Sequence, residues 1–322
     1  MMKKLFLIPS LLFLIFNSCS EEFNPKTDFE QQYALYSIIS GDTTYQTAII
    51  SKSYNVPGFD PAEYNGNPYV TGAEVTIRYD GKEYKLKDTL ISSQTNNFPS
   101  NIYFTNNFQP AAFKNMSIEA RLPDGTILTA NTQTPKSANL TFSRNGFDSD
   151  SFIEEKSEGL FFIWNILDSG NDEMMYLPSL KISYVIKTGN TQTLKHVFVP
   201  IKYFQNGNEY IPQYPQLSAY QELSFSMDVV DRTMSSIGEN IVDKSTIYIN
   251  DAEFELLILD PNLAPYYQTV DAFLDGYTVL LDQIDYTNVN GGRGVFGSFF
   301  RRTKDLSISA EYIFSFGYRV YR

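Results

Sequence analysis

The chain has 322 residues, a formal charge of −12 and a single cysteine, Cys19. So acidic a surface argues against nucleic acid and anionic lipid head groups as partners, and one cysteine excludes an intrachain disulfide. With 43% hydrophobic residues, 23 tyrosines and 25 phenylalanines, there is material for real cores, of a kind that favours pleated, half-buried surfaces.

Lys3 and Lys4 precede an apolar run at residues 5–16 (LFLIPSLLFLIF), and Asn17 and Ser18 lead into Cys19. Charge, then apolar bulk, then small residues is the layout of a secretory signal segment. Spanning a bilayer core takes ~20 apolar residues, so this run, interrupted by Pro9, is too short for a stable transmembrane helix. The arrangement resembles the lipobox of bacterial lipoproteins. That resemblance implies removal of residues 1–18 and acylation of Cys19, and two or more acyl chains anchor stably where one does not. Ser20, Glu21 and Glu22 follow at once. An acidic cluster there resembles the signal that exports some lipoproteins to the outer face of the outer membrane; its plainer reading is a solvated spacer. Loss of the leader, with Lys3 and Lys4, leaves 304 residues at a formal charge of −14, enough for two domains.

Residues 19–32 are expected to be an acidic tether. Strands follow at 33–40 and 45–54, then a loop rich in proline at 56–68. Asp80-Gly81 separates alternating runs at 74–79 and 82–86, and Asp124-Gly125 separates 116–122 from 126–130. A two-residue Asp-Gly connection is a strong hairpin signal. About seven short strands at this spacing predict an immunoglobulin-like sandwich over 33–135, with residues 131–137 as a polar linker.

The fold class predicted is all-β, the sandwich being followed by a second β-rich domain at 136–322. Its strands are read at 160–166, 180–187, 194–201, 223–230, 246–249, 254–259, 277–284 and 306–316. Trp164 is read as core. One short helix is predicted near 261–275, with Asp260 as cap, Pro261 in the first turn and Gly276 as the stop. The segment 288–297 is read as a loop whose glycines Gly291, Gly292, Gly294 and Gly297 need positive φ or very close approach. Neither Walker spacing nor a following helix N-terminus supports a phosphate site there.

Little in the chain suggests catalysis. The one histidine, His196, is expected to be structural or solvent-facing, since triad or metal partners are not evident. No Gly-x-Ser-x-Gly elbow occurs. The cluster at 168–173, from Asp168 to Glu173, lacks EF-hand spacing and reads as a polar turn, with opportunistic calcium binding as the sharper alternative. Asp148, Asp150, Glu154 and Glu155 read as a solvated loop; a glycosidase pair would be specified by separation in space. A non-enzymatic protein without cofactor or metal is the expectation.

The asparagine-led segment from Asn288 through Gly291, Gly292, Gly294 and Phe296 to Gly297 resembles a motif of the uncharacterised surface-lipoprotein family catalogued as domain of unknown function 4249. Residues 122–135, from Leu-Pro-Asp-Gly to the Thr-Pro exit, are similar to its strand, hairpin and exit. Residues 71–77 (TGAEVTI) resemble its entry to the first hairpin, and Trp164, Asp168 and Tyr176 its second-domain opening. The resemblance implies an outer-membrane, lipid-anchored protein facing the extracellular side, often encoded beside TonB-dependent receptors. On that basis the expected role is accessory or binding partner of such a receptor in nutrient uptake. A stand-alone glycan-binding or adhesion lipoprotein is the alternative.

Overall fold

The computed structural model describes residues 29–56, 64, 66–91, 100–144, 147–148, 152–154, 158–166, 174–207, 209–269 and 286–321. Cys19, Ser20, Glu21 and Glu22 lie outside the described residues, as do the cluster at 168–173 and the strand predicted at 277–284. Two units separate by contact. The smaller comprises residues 1–31 and 54–64; in its described part the rings of Tyr54 and Tyr64 stack at 3.9 Å. The larger comprises residues 32–53 and 65–322.

Its architecture is a large mixed, mostly antiparallel β-sheet domain with minor helices. The first seven strands are β1 (Tyr33–Ser40), β2 (Gln46–Lys52), β3 (Glu74–Tyr79), β4 (Lys82–Ile91), β5 (Ser100–Thr105), β6 (Asn115–Arg121) and β7 (Ile127–Gln133). Alternation drives them. In β3, Val75 and Ile77 turn into a core with Ile118 and Ala120 of β6 and Leu128 and Ala130 of β7, while Arg78 faces solvent. Asp80 and Gly81 both have positive φ, as an Asp-Gly hairpin demands.

Next come β8 (Ala138–Arg144), β9 (Phe147–Asp148), β10 (Phe152–Ile153), β11 (Gly159–Ile166), β12 (Met175–Thr188), β13 (Thr191–Phe198), β14 (Lys202–Asn206), β15 (Glu209–Gln213) and β16 (Glu222–Ser226). Helix α1 (Met227–Ile237) then precedes β17 (Ile247–Leu259), α2 (Leu263–Thr269), β18 (Arg293–Ile308), α3 (Ala310–Ser315) and β19 (Arg319–Val320). Two of these helices correct the sequence reading. The strand expected at 223–230 stops at Ser226, because Met227, Val230, Met234 and Ile237 bury one helical face. The closing strand expected at 306–316 stops at Ile308. There Ser309 Oγ accepts from the Tyr312 amide and caps α3.

One sheet runs β13-β12-β17-β18-β1-β2-β5-β4-β3-β6-β7. Its member β18 is long and pairs with β1 and β17, and with β10 off this path. Residues Arg293 to Phe299 pair in parallel with β1, and Phe299 to Leu306 pair antiparallel with β17. β18 thus joins strands from both predicted domains. The sheet also returns on itself: Thr129 of β7 and Asn290, just before β18, exchange both backbone hydrogen bonds, at 3.1 and 2.8 Å. Leu35, Ile50, Ile77, Tyr103 and Phe108 fill the ring so formed, with Phe296 from β18.

A second sheet, β16-β11-β8-β9, shares a core with β12, β17, α1 and α3. Trp164 is 1% exposed there, and Phe162 stacks on Phe254 at 3.8 Å and 7°. Strand-to-strand aromatic stacking of this sort adds about 0.5–1.5 kcal/mol to simple burial. The polar linker expected at 131–137 is no tether: Thr132, Thr134 and Lys136 are buried, and β7 extends to Gln133.

Candidate functional site

The carboxylate of Asp260 is a buried group that accepts four hydrogen bonds. It sits at the end of β17 with no exposed surface. Its Oδ1 accepts from the backbone amides of Asn262 (2.9 Å) and Leu263 (2.7 Å), so the residue does cap α2. Its Oδ2 accepts from the hydroxyls of Thr132 (2.6 Å) and Ser298 (2.7 Å). A carboxylate in such a place must be hydrogen-bonded, because an unpaired one would be prohibitively costly. Burial still lifts its carboxyl above the ordinary value, while the hydroxyls of Thr132 and Ser298 and the two amides pull the other way.

This one side chain ties three stretches together. Thr132 comes from β7, Ser298 from β18, and the capped amides from α2. Asn262 extends the network: its Nδ2 donates to Thr132 Oγ1 (3.0 Å) and to the Asn131 carbonyl (3.1 Å), and its Oδ1 accepts from Tyr286 (3.0 Å).

The glycine-rich segment leads into the same strand as Ser298. It is half strand: Arg293 to Gly297 belong to β18, which corrects the loop expected over 288–297. Asn288 explains why an asparagine leads it. Its Oδ1 accepts the Phe296 amide (2.9 Å) and its Nδ2 donates to the Phe296 carbonyl (2.8 Å), so the side chain acts as a strand partner for Phe296. Phe296 itself is wholly buried. Gly291 and Gly294 have φ of +82° and +113°, and a Cβ on either would collide with the Ile127 or Leu35 carbonyl oxygen. A Cβ on Gly292 would stand 2.6 Å from the Tyr33 carbonyl oxygen, and one on Gly297 2.8 Å from Leu263 Cβ. The motif brings β18 against β1, β7 and α2 more closely than any side chain allows.

Above the knot lies the solvent face of β3, β6 and β7. Arg78, Ser117 and Asn131 are cross-strand neighbours in one row. They line an open depression of about 470 Å³ together with Asn115, Met116 and Thr132. Volumes of ~300–1,000 Å³ are usual for ligand pockets. Thr132 connects it to the knot, since its hydroxyl is held by Asp260 beneath.

Among the described residues, the others singled out in the sequence form no common site. His196 is exposed on β13, its Nδ1 3.2 Å from Ser183 Oγ. Asp148 lies in β9, which pairs with β8, whereas Glu154 follows β10, which pairs with β18; Asp150 and Glu155 lie outside the described residues. Among the described residues no group of three or more His, Cys, Asp or Glu is placed to hold a metal ion. Sequence reasoning missed Thr132, Ser298 and Asn262, whose only signal was polarity within otherwise apolar or turn-like stretches. A scan against known protein families matched none, and a search of curated proteins matched none either.

Proposed function

We propose that the chain is an outer-membrane lipoprotein, anchored through Cys19 and facing the extracellular side, that acts as accessory or binding partner of a TonB-dependent receptor in nutrient uptake. The observation that carries this is the N-terminal order of Lys3-Lys4, a short apolar run, a small residue and the only cysteine, followed by Ser20, Glu21 and Glu22. Membership in the domain of unknown function 4249 family belongs to the same reading and rests on the Asn288 to Gly297 motif. So does an immunoglobulin-like layout for residues 33–135, which the seven strands around one core support. Binding fits better than catalysis because the polar network at Asp260 is fully occupied by its own structural hydrogen bonds.

Fractionation tests the anchor. Wild type should sediment with the outer membrane and Cys19→Ala should not; a Cys19→Ala variant that still sediments there contradicts it. Whole cells treated with a non-permeant amine reagent should show the protein labelled, whereas protection would rule out the outward-facing arrangement.

A glycan-binding or adhesion lipoprotein acting alone is the second reading. Exposed aromatic side chains favour it: Phe204 on β14, Tyr210 on β15 and Tyr220 are 48%, 44% and 77% exposed. Faces of this kind stack on sugars, and binding to a glycan array by the protein without any partner would support it.

A further inference from the structure

We propose that the depression on the β3–β6–β7 face is a binding site for a small, uncharged, hydroxyl-rich ligand of the neutral-sugar class. It is separate from the exposed aromatic residues of β14 and β15. It rests on the reading that this chain binds rather than transforms its ligand, but on neither the anchor nor a receptor.

Three features set the chemistry. The first is local charge. Arg78 donates from Nε to Glu83 at 3.0 Å and from its terminal nitrogens to Glu119 at 3.1 and 3.4 Å, and Arg121 also pairs with Glu119 at 2.8 Å. Arg78, the charged residue among those lining the depression, is thus paired with Glu83 and Glu119 beside it. A charged ligand finds no uncompensated opposite charge there, whereas a neutral one needs none.

The second is the supply of unspent hydrogen-bonding groups. Gln133 Nε2 donates to Asn115 Oδ1 at 3.0 Å, which fixes the Asn115 amide and leaves its Nδ2 to serve as a donor. Asn131 is exposed, and its backbone carbonyl, not its side chain, is what Asn262 and Asn288 bind, at 3.1 and 3.4 Å. Ser117 lies between Arg78 and Asn131 in register and adds a hydroxyl. Amide and hydroxyl groups that both donate and accept are suited to sugar hydroxyls, which also do both.

The third is rigidity. The outer row stands on strands whose opposite faces, Ile77, Ile118 and Ala130, are 0–1% exposed in the core, and Thr132, buried next to Asn131 on β7, is bonded to buried Asp260. Polar groups held in place this way lose little freedom on binding.

Calorimetric titration of the full-length protein in detergent would use maltose, cellobiose and N,N′-diacetylchitobiose as neutral probes and glucuronic acid as the charged one. At least one neutral disaccharide should bind, and glucuronic acid more weakly. Asn131→Ala and Ser117→Ala should each weaken that binding about tenfold without moving the melting temperature, because both side chains are on the solvent face. Tyr220→Ala should leave it unchanged. The proposal is overturned if no neutral probe binds, if glucuronic acid binds best, or if binding survives both variants or is lost with Tyr220→Ala. Neither membrane nor receptor enters the assay, so a negative result leaves the anchoring reading intact, and a failed Cys19→Ala fractionation test leaves this one intact.

Discussion

At the scale of single residues, the buried Asp260 carboxylate ties β7, β18 and α2 together. Replacing it by alanine removes the α2 cap and strands the hydroxyls of Thr132 and Ser298, which should cost about 2–5 kcal/mol. Asp260→Asn should cost about half as much, since the amide oxygen can keep the cap while its NH₂ donates to hydroxyls free to rotate. Chemical denaturation of the three proteins would rank them. The pH dependence has a definite sign. Burial raises the folded-state pKa of Asp260, so the fold favours its protonated form. That contribution is complete below the unfolded pKa and is lost as pH rises through the folded one. The stability gap between wild type and Asp260→Asn should therefore narrow from the acid range toward neutrality; a gap that widens contradicts the assignment.

At the scale of elements, local chemistry was readable where it was self-contained. Asp80-Gly81 dictates its hairpin, and Asp260 with Pro261 announces the start of a helix, because turn and cap preferences act within four residues. α1 was not readable. Its entry, Leu-Ser-Phe-Ser, alternates like a strand, and β16 does use that alternation before the helical face takes over at Met227. Tertiary packing decides between two periods there, and Met234, wholly buried in the shared core, shows which wins. Met234→Ala should cost about 2–5 kcal/mol, measured by urea unfolding. A cost below about 1 kcal/mol would mean α1 is not packed as described. The glycine-rich motif was half readable. Its need for tight backbone approach follows from composition, but its partners Tyr33, Leu35 and Ile127 lie far away in sequence and leave no local trace.

At the scale of the whole molecule, the long reach of β18 is the feature the sequence hid most completely. It pairs with β1 across some 260 positions, Leu35 against Gly294, and inserts Phe296 into the core of the first seven strands. Residues 33–135 produced alone lack β18, Asn290 and Asp260, and should stay unfolded. Co-production with residues 136–322 should restore the amide dispersion of the intact chain in NMR spectra. A folded 33–135 fragment would instead establish an autonomous first domain. Function at this scale rests on the N-terminal layout, and the receptor partnership is the claim that most needs a direct test. The most direct measurement is affinity isolation of the full-length protein from native membranes, with its partners identified by mass spectrometry. A stoichiometric TonB-dependent receptor is the predicted result, and recovery of the protein free of any such barrel would contradict it.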